Sequence, residues 1–184
     1  MFTPDWPMLT ERLLLRPFEE DDLQALYTMQ SDEEVVRYLY QGVRSLDKVR
    51  TSLARKMGSV SIKGEGDGVT AAVVLRDTGE LVADVSLWLL SEGHEQGELG
   101  FTVHPAHQRK GYATEASRRM LEFGFTTMRL HRVIGRLEAR NVASARVMEK
   151  LGMRREAHFI ENEWVKGEWQ SEFLYALLAE EWAT

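Results

Sequence analysis

Cysteine is absent from the 184 residues, so disulfides, zinc–thiolate centres and cysteine nucleophiles are excluded. No apolar run approaches the ~20 residues needed to span a bilayer, and no membrane partner is expected. The stretch Met1–Trp6 has no basic patch leading into an apolar segment. No secretory leader is read from it, and the cytoplasm is the expected compartment. No Gly-Lys-Ser/Thr sequence occurs, which removes a Walker-type nucleotide loop. Three spaced glycines behind a first strand are also missing, and with them the dinucleotide fingerprint. No ligand spacing links His104 and His107 to other side chains, so both read as surface histidines and no metal is expected.

What is present suits one globular unit. A length of 184 residues with 43% hydrophobic composition can bury a sizeable core. Residues 1–184 are expected to form a single domain. The net charge of −6 is unevenly spread. Residues 104–155 carry twelve Lys/Arg against four Asp/Glu, whereas residues 1–103 and 156–184 are both acidic. Such a block is either a set of solvated helix faces or a polyanion site beside a site for a cation. The acidic total argues against broad nucleic-acid binding, which needs a basic footprint.

Hydrophobic periodicity predicts a strand at Leu13–Arg16, stopped by Pro17, and a helix opened by Glu19–Asp22. A short helix from Ser31 and a longer one over Ser45–Met57 follow. Val69–Arg76 and Leu81–Leu89 read as a hairpin around Asp77-Thr78-Gly79, and Glu98–Val103 as the next strand. Tyr112–Met128 is a predicted helix with Ala113, Ala116, Met120, Phe123 and Thr127 as its buried stripe. Arg132–Glu138 is a strand, so a right-handed parallel crossover is expected. Asn141–Leu151 is a helix ended by Gly152, and Met153–Ile160 and Ser171–Leu178 are strands joined through Lys166-Gly167.

The segment Gln108-Arg109-Lys110-Gly111-Tyr112-Ala113 lies where a strand runs out into a helix. Gly111 and Ala113 let ligand atoms approach the backbone. The first-turn N–H groups of the helix have no partners of their own and attract anions. Arg109 and Lys110 add charge, so a diphosphate can be held mostly by backbone; the bare pattern is equally that of a structural turn.

With its setting, the segment resembles the coenzyme-A motif of the GNAT N-acetyltransferase superfamily. Asn141-Val142-Ala143-Ser144 and Lys150-Leu151-Gly152-Met153 are similar to the second signature of that superfamily. Thr10–Pro17, Gly111–Ala116 and Gly167–Trp182 resemble its RimJ/RimL-type branch, so the likeness covers nearly the whole chain. The resemblance implies an α/β (α+β) fold of the acyl-CoA N-acyltransferase type. Its central twisted sheet would be mixed, mostly antiparallel and flanked by helices. It further implies acetyl transfer from acetyl-CoA to a primary amine, in this branch a protein N-terminal α-amine. A small amine, an amino acid or a drug is the alternative acceptor, and a non-catalytic acyl-CoA sensor the alternative role. Either a monomer or a homodimer is compatible.

Site residues follow from the same resemblance. Glu98 is implied as the base acting on the amine through water; by position alone it is equally an exposed strand carboxylate. Ser144 is implied to serve the sulfur as a hydrogen-bond donor, because the tyrosine many members carry four residues later is Met148 here. Asn141 reads locally as a helix cap with Ser144 in support, and by resemblance as a contact to the pantetheine arm. Phe101, Thr102 and Val103, the loop Gln108, Arg109, Lys110, Gly111, Tyr112, Ala113 and Thr114, and Arg146 and Lys150 complete the implied coenzyme site. Tyr38, Tyr40, His158, Trp164 and Trp169 are candidates for the acceptor entrance, with Glu161, Glu163 and Glu168 as its acids. Where much of the branch carries an acid, this chain has Ser171 and places Glu172 one residue on. On a strand that reverses the face.

Overall fold

The structure, a computed structural model, describes residues 1–182. Eight strands form one sheet in the order β1-β2-β3-β4-β5-β6-β8-β7. They are β1 (Met8–Leu9), β2 (Leu13–Arg16), β3 (Gly68–Leu75), β4 (Leu81–Ser91), β5 (Gln96–Val103), β6 (Arg132–Glu138), β7 (Arg154–Val165) and β8 (Glu168–Leu178). Only β5 and β6 run parallel. The helix between them, α4 (Tyr112–Glu122), packs on β4 and β5. The remaining helices are α1 (Leu23–Ser31), α2 (Glu33–Val36), α3 (Leu46–Gly58), α5 (Val142–Lys150) and α6 (Ala179–Trp182). The mixed, mostly antiparallel α+β architecture agrees with the expectation, and none of these helices is long and apolar enough to cross a membrane.

The sheet is covered on both faces, and strand composition records it. β3 is a continuous small apolar run, Gly-Val-Thr-Ala-Ala-Val-Val-Leu, with all but its last residue buried. Val69, Ala71 and Val73 join a core with Val85, Leu87, Leu99, Met120 and Val133. Ala72 and Val74 face a second core with Leu26, Met29, Val49 and Leu53 from α1 and α3. Arg16, at the end of β2, makes a bidentate pair with Asp22 at 2.8 Å. That pair ties the strand to the start of α1.

Three expectations change. The helix from Tyr112 does not run regularly to Met128: Phe123–Thr127 is a π-helical turn, closed by Met128 N–H to Phe123 C=O at 3.1 Å. The wider turn shifts the helical phase. Phe125 and Met128 therefore enter the core, and Thr127 faces solvent instead of extending the stripe. The last two strands are longer than read, because their outer halves lie at a sheet edge and carry polar, exposed residues. The two-residue turn Lys166-Gly167, with φ of 50° and 87°, sets their register. His107 is not a surface histidine. It is buried, and its Nε2 lies 2.8 Å from Glu80 Oε1 in the β3–β4 turn.

Candidate active site

The parallel pairing of β5 with β6 is brief: Gln96–Arg132, Gly97–Val133 and Glu98–Ile134. Beyond Glu98 the strands part. β5 continues to Val103 paired only with β4, and β6 continues to Glu138 paired only with β8. One backbone edge of Leu99–Val103 is thus left without a ladder partner, opposite the start of α5. A cleft of about 430 Å³ opens there, with Phe101, Thr102, Asn141, Ser144 and Met148 in its lining. Asn141 Oδ1 accepts from Ser144 N–H at 3.0 Å. The cap reading of Asn141 therefore holds, and its side-chain NH2 is left available for a ligand. Met148 fills the space that a Cβ on Gly135 would occupy, 2.4 Å from its Cε. No hydroxyl acid stands at that point.

The loop after β5 is built for close approach. His104 Nδ1 accepts from Ala106 N–H at 3.3 Å, and a short 3-10 turn, Pro105–His107, ends the strand. Arg109 and Gly111 both take left-handed backbone, with φ of 61° and 84°. No side chain caps α4, and its first helical bond joins Glu115 N–H to Gly111 C=O at 3.1 Å. The exposed stretch Gln108–Gly111 leads into these open N–H groups. Glu115 would oppose an anion here, but it is neutralised. It pairs with Arg12 at 2.7 Å and accepts from Thr10 Oγ1 at 2.6 Å and from Arg12 N–H at 2.9 Å. Burial pushes the Glu115 carboxyl up, and these hydrogen bonds outweigh it and hold it below its ordinary value. Two motif segments about a hundred residues apart are joined at this point. Glu80 and His107 brace the loop from the other side, and Lys110 Nζ lies 3.3 Å from His107 Nδ1.

Residues on β5, β6 and β8 set the charge of the cleft. Glu98 lies on the same face as Gly100 and Thr102, and register places Arg136, Glu138 and Glu172 on that face too. Burial pushes the Glu98 carboxyl above its ordinary range; Arg136, at 3.9 Å, pulls it down and Glu172 adds to the rise. Glu98 is not in the cleft lining, whereas Arg136 and Glu172, both electrically coupled to it, are. Glu172 is buried and accepts from Tyr40 Oη at 3.0 Å. Although Tyr40 as a whole is 65% exposed, desolvation at its hydroxyl end and this hydrogen bond raise the phenol far above its usual value. Glu172 therefore shares the face of Glu98 and meets the cleft. Ser171 Oγ, one residue earlier, accepts from Glu161 N–H at 3.0 Å.

A family model described as an acetyltransferase (GNAT) domain matches residues 12–154. The chain belongs to the GNAT family. It is an acetyl-CoA-dependent N-acetyltransferase acting on an amine. It is 38% identical over 173 residues to the uncharacterized N-acetyltransferase YnaD of Bacillus subtilis, covering 94% of this chain and 97% of that protein. It superposes on a GNAT-family acetyltransferase from Bacillus anthracis with a TM-score of 0.84 at 35% identity, covering 98% of this chain and all of the other. A spermidine N-acetyltransferase from Vibrio cholerae, solved with CoA and spermine, shares the fold at 20% identity. Its TM-score is 0.79, over 95% of this chain and 100% of that one.

Within the GNAT frame the predicted residues separate into groups. Phe101, Thr102, Asn141 and Ser144 meet at the β5–β6 opening, and Tyr38 and Tyr40 line the same cleft. Val103 and the Gln108–Thr114 loop continue outward from it on the strand-to-helix path. Arg146 and Lys150 are exposed on α5. Three acceptor candidates lie outside the cleft lining. His158 packs against Phe173 with ring centroids 4.6 Å apart, and Phe173 is on the opposite sheet face from Glu172. Trp164 and Trp169 pack edge to face at the outer end of the β7–β8 hairpin, 62% and 56% exposed. Sequence reasoning passed over Gln30, Arg44, Arg55, Asp84 and Arg136, which line the cleft. They come from separate elements, and no local motif marks them.

Proposed function

We propose that this GNAT enzyme acetylates a primary amine presented by a small molecule or by a chain terminus. Glu98 takes the amine proton through water, and the Ser144 hydroxyl donates to the departing thiolate. The amine nitrogen forms the new C–N bond to the acetyl carbon as the C–S bond breaks; the proton leaves with Glu98 and the electron pair with sulfur. The observation that carries this reading is the placement of Glu98 3.9 Å from Arg136 of the cleft lining, on the sheet face that meets the cleft holding Ser144 across the β5–β6 opening. A carboxyl raised by burial is nearer the pKa a general base needs.

The coenzyme fits the residues present. An extended amide-bearing arm matches the unpaired edge of Leu99–Val103, with the Asn141 amide beside it. Its diphosphate matches the open N–H groups at Gly111–Thr114. Arg109, Lys110, Arg146 and Lys150 supply exposed cations near this path. A cleft of about 430 Å³ takes a small amine or one terminal residue. Resemblance to the RimJ/RimL-like branch supports a protein α-amine, and the spermine complex of the Vibrio cholerae neighbour supports a small amine.

A thiol-release assay with acetyl-CoA against short peptides and small amines tests the reading. Turnover is expected with at least one class. Glu98→Gln should lower kcat about a hundredfold or more with little change in coenzyme affinity. Tight acetyl-CoA binding without thiol release from any amine would instead make the chain a sensor.

A further inference from the structure

The cleft carries unbalanced charges of both signs, on different elements. On the side formed by β6, β7 and β8, Glu163 and Glu172 gather around Tyr40. Arg136 is engaged there with Glu98, and Glu138 with Arg140 at 2.8 Å. On the side formed by α1 and α3 stand Arg44, Arg55 and Lys56. Lys56 is neutralised by Asp84 at 2.8 Å. Arg44 and Arg55 make no ion pair with any described residue. Arg44 is oriented by neutral groups only: Nη1 donates to Gln30 Oε1 at 3.1 Å and Nη2 to Gln41 Oε1 at 2.6 Å. Gln30 is itself buried and donates to Ser52 Oγ at 3.1 Å, which fixes the fork. Burial, and the neighbouring charge of Arg55, press the Arg44 guanidinium toward its neutral form. Two adjoining guanidinium groups thus face the cleft without an ion-pair partner among the described residues, while the cleft's carboxylates stand on other elements.

We infer that the acceptor is an amine that also bears a carboxylate, with Arg44 and Arg55 holding the carboxylate and the acidic side, with Glu163 of β7 and Glu172 of β8, receiving the amine. This rests on the acetyl-transfer reading of the same cleft and narrows its substrate class. A planar carboxylate suits an arginine fork whose amide partners leave it uncompensated. A polyamine would place a second cation against these two arginines, and like charges so placed repel. The ends of the cleft match the two ends of an amino acid or a short acidic peptide.

The test compares amino carboxylates with their uncharged partners in the thiol-release assay. 4-Aminobutanoate, 6-aminohexanoate, glutamate and aspartyl peptides are set against the corresponding amides and against spermidine. Phosphoethanolamine distinguishes a general anion site from a carboxylate site. The expected result is kcat/KM at least about tenfold higher for carboxylates than for amides, the scale of one charge-assisted hydrogen bond. Arg55→Gln changes an exposed side chain and leaves the Gln30–Ser52 network intact. It should raise KM for the carboxylates about tenfold with kcat within about twofold, and raise KM for the amides far less. Arg44→Gln should also raise KM for the carboxylates, with part of its effect shared by the amides because it releases Gln30 and Gln41. Equal use of amides and carboxylates, a preference for spermidine or phosphoethanolamine, or an equal effect of Arg55→Gln on both classes overturns the inference. Thiol release from no amine at all removes the acetyl-transfer reading itself, a distinct outcome.

Discussion

Glu98 is governed by two neighbours of opposite sign, and each gives a signed prediction. In the proposed mechanism Glu98 acts as carboxylate, so kcat/KM should fall as pH drops through its raised pKa. Arg136 favours the charged form, and Arg136→Gln should move this acidic limb to higher pH. Glu172 disfavours it, and Glu172→Gln should move the limb to lower pH. Glu98→Gln should remove the limb. Measured kcat/KM profiles of the three variants check the set, and shifts in the same direction for Arg136→Gln and Glu172→Gln would refute the assignment. Alternation gave only the face of Glu98, opposite Leu99; its candidacy as base came from the family resemblance. Its environment was not legible in the sequence, because Arg136 and Glu172 come from strands 38 and 74 residues further along the chain.

At the scale of elements, the proposed phosphate loop is held by contacts from the segment at β2 and from the β3–β4 turn. Glu115→Ala removes the acceptor for Thr10 Oγ1, Arg12 N–H and the Arg12 guanidinium. Coenzyme A affinity should weaken about tenfold, and stability should drop by about 1–3 kcal/mol, the scale of a part-buried charged hydrogen-bond network. Calorimetric titration with coenzyme A and urea unfolding measure the two effects. On β6, Gly135→Ala would drive a Cβ into Met148, 2.4 Å from Cε and 2.9 Å from Sδ. The variant should lose about 1–3 kcal/mol by overpacking. Met148→Ala is itself costly because Met148 is buried, but the added cost of Gly135→Ala should largely vanish in that background, because Met148 is the group displaced. A double-mutant cycle by urea unfolding checks it. The π-turn at Phe123–Thr127 marks the limit of periodicity at this scale: a stripe assumes 3.6 residues per turn, and nothing local announces one wider turn.

At the scale of the molecule, the β7–β8 hairpin closes over the cleft. Lys166 at its tip donates to Val36 C=O at 2.8 Å and to Arg37 C=O at 2.9 Å, beside α2. Tyr40, in the segment after α2, reaches Glu172 on β8. Lys166→Ala should loosen this closure, raise KM for the acceptor several-fold and leave coenzyme A affinity unchanged. Steady-state kinetics with each substrate varied in turn separate the two. An equal rise in both KM values would mean that the hairpin supports the whole cleft and not the acceptor side alone.

The strand–loop–helix of the donor site was readable from residues close in sequence. Gly111, the alternating β5 and the Asn141 cap are local features, and local backbone geometry dictates what such residues do. Strand pairing decided the rest. The parting of β5 from β6 after Glu98 leaves the backbone edge open. Glu172, one residue past the expected acid, still faces the cleft beside Tyr40. His158, Trp164 and Trp169, plausible by composition, fall outside that lining. Arg44 and Arg55, unpaired among the described residues, come to line one cleft with carboxylates from β7 and β8 only in the folded chain. Charge balance in a cleft is a sum over groups distant in sequence, and only tertiary contact determines which of them share it.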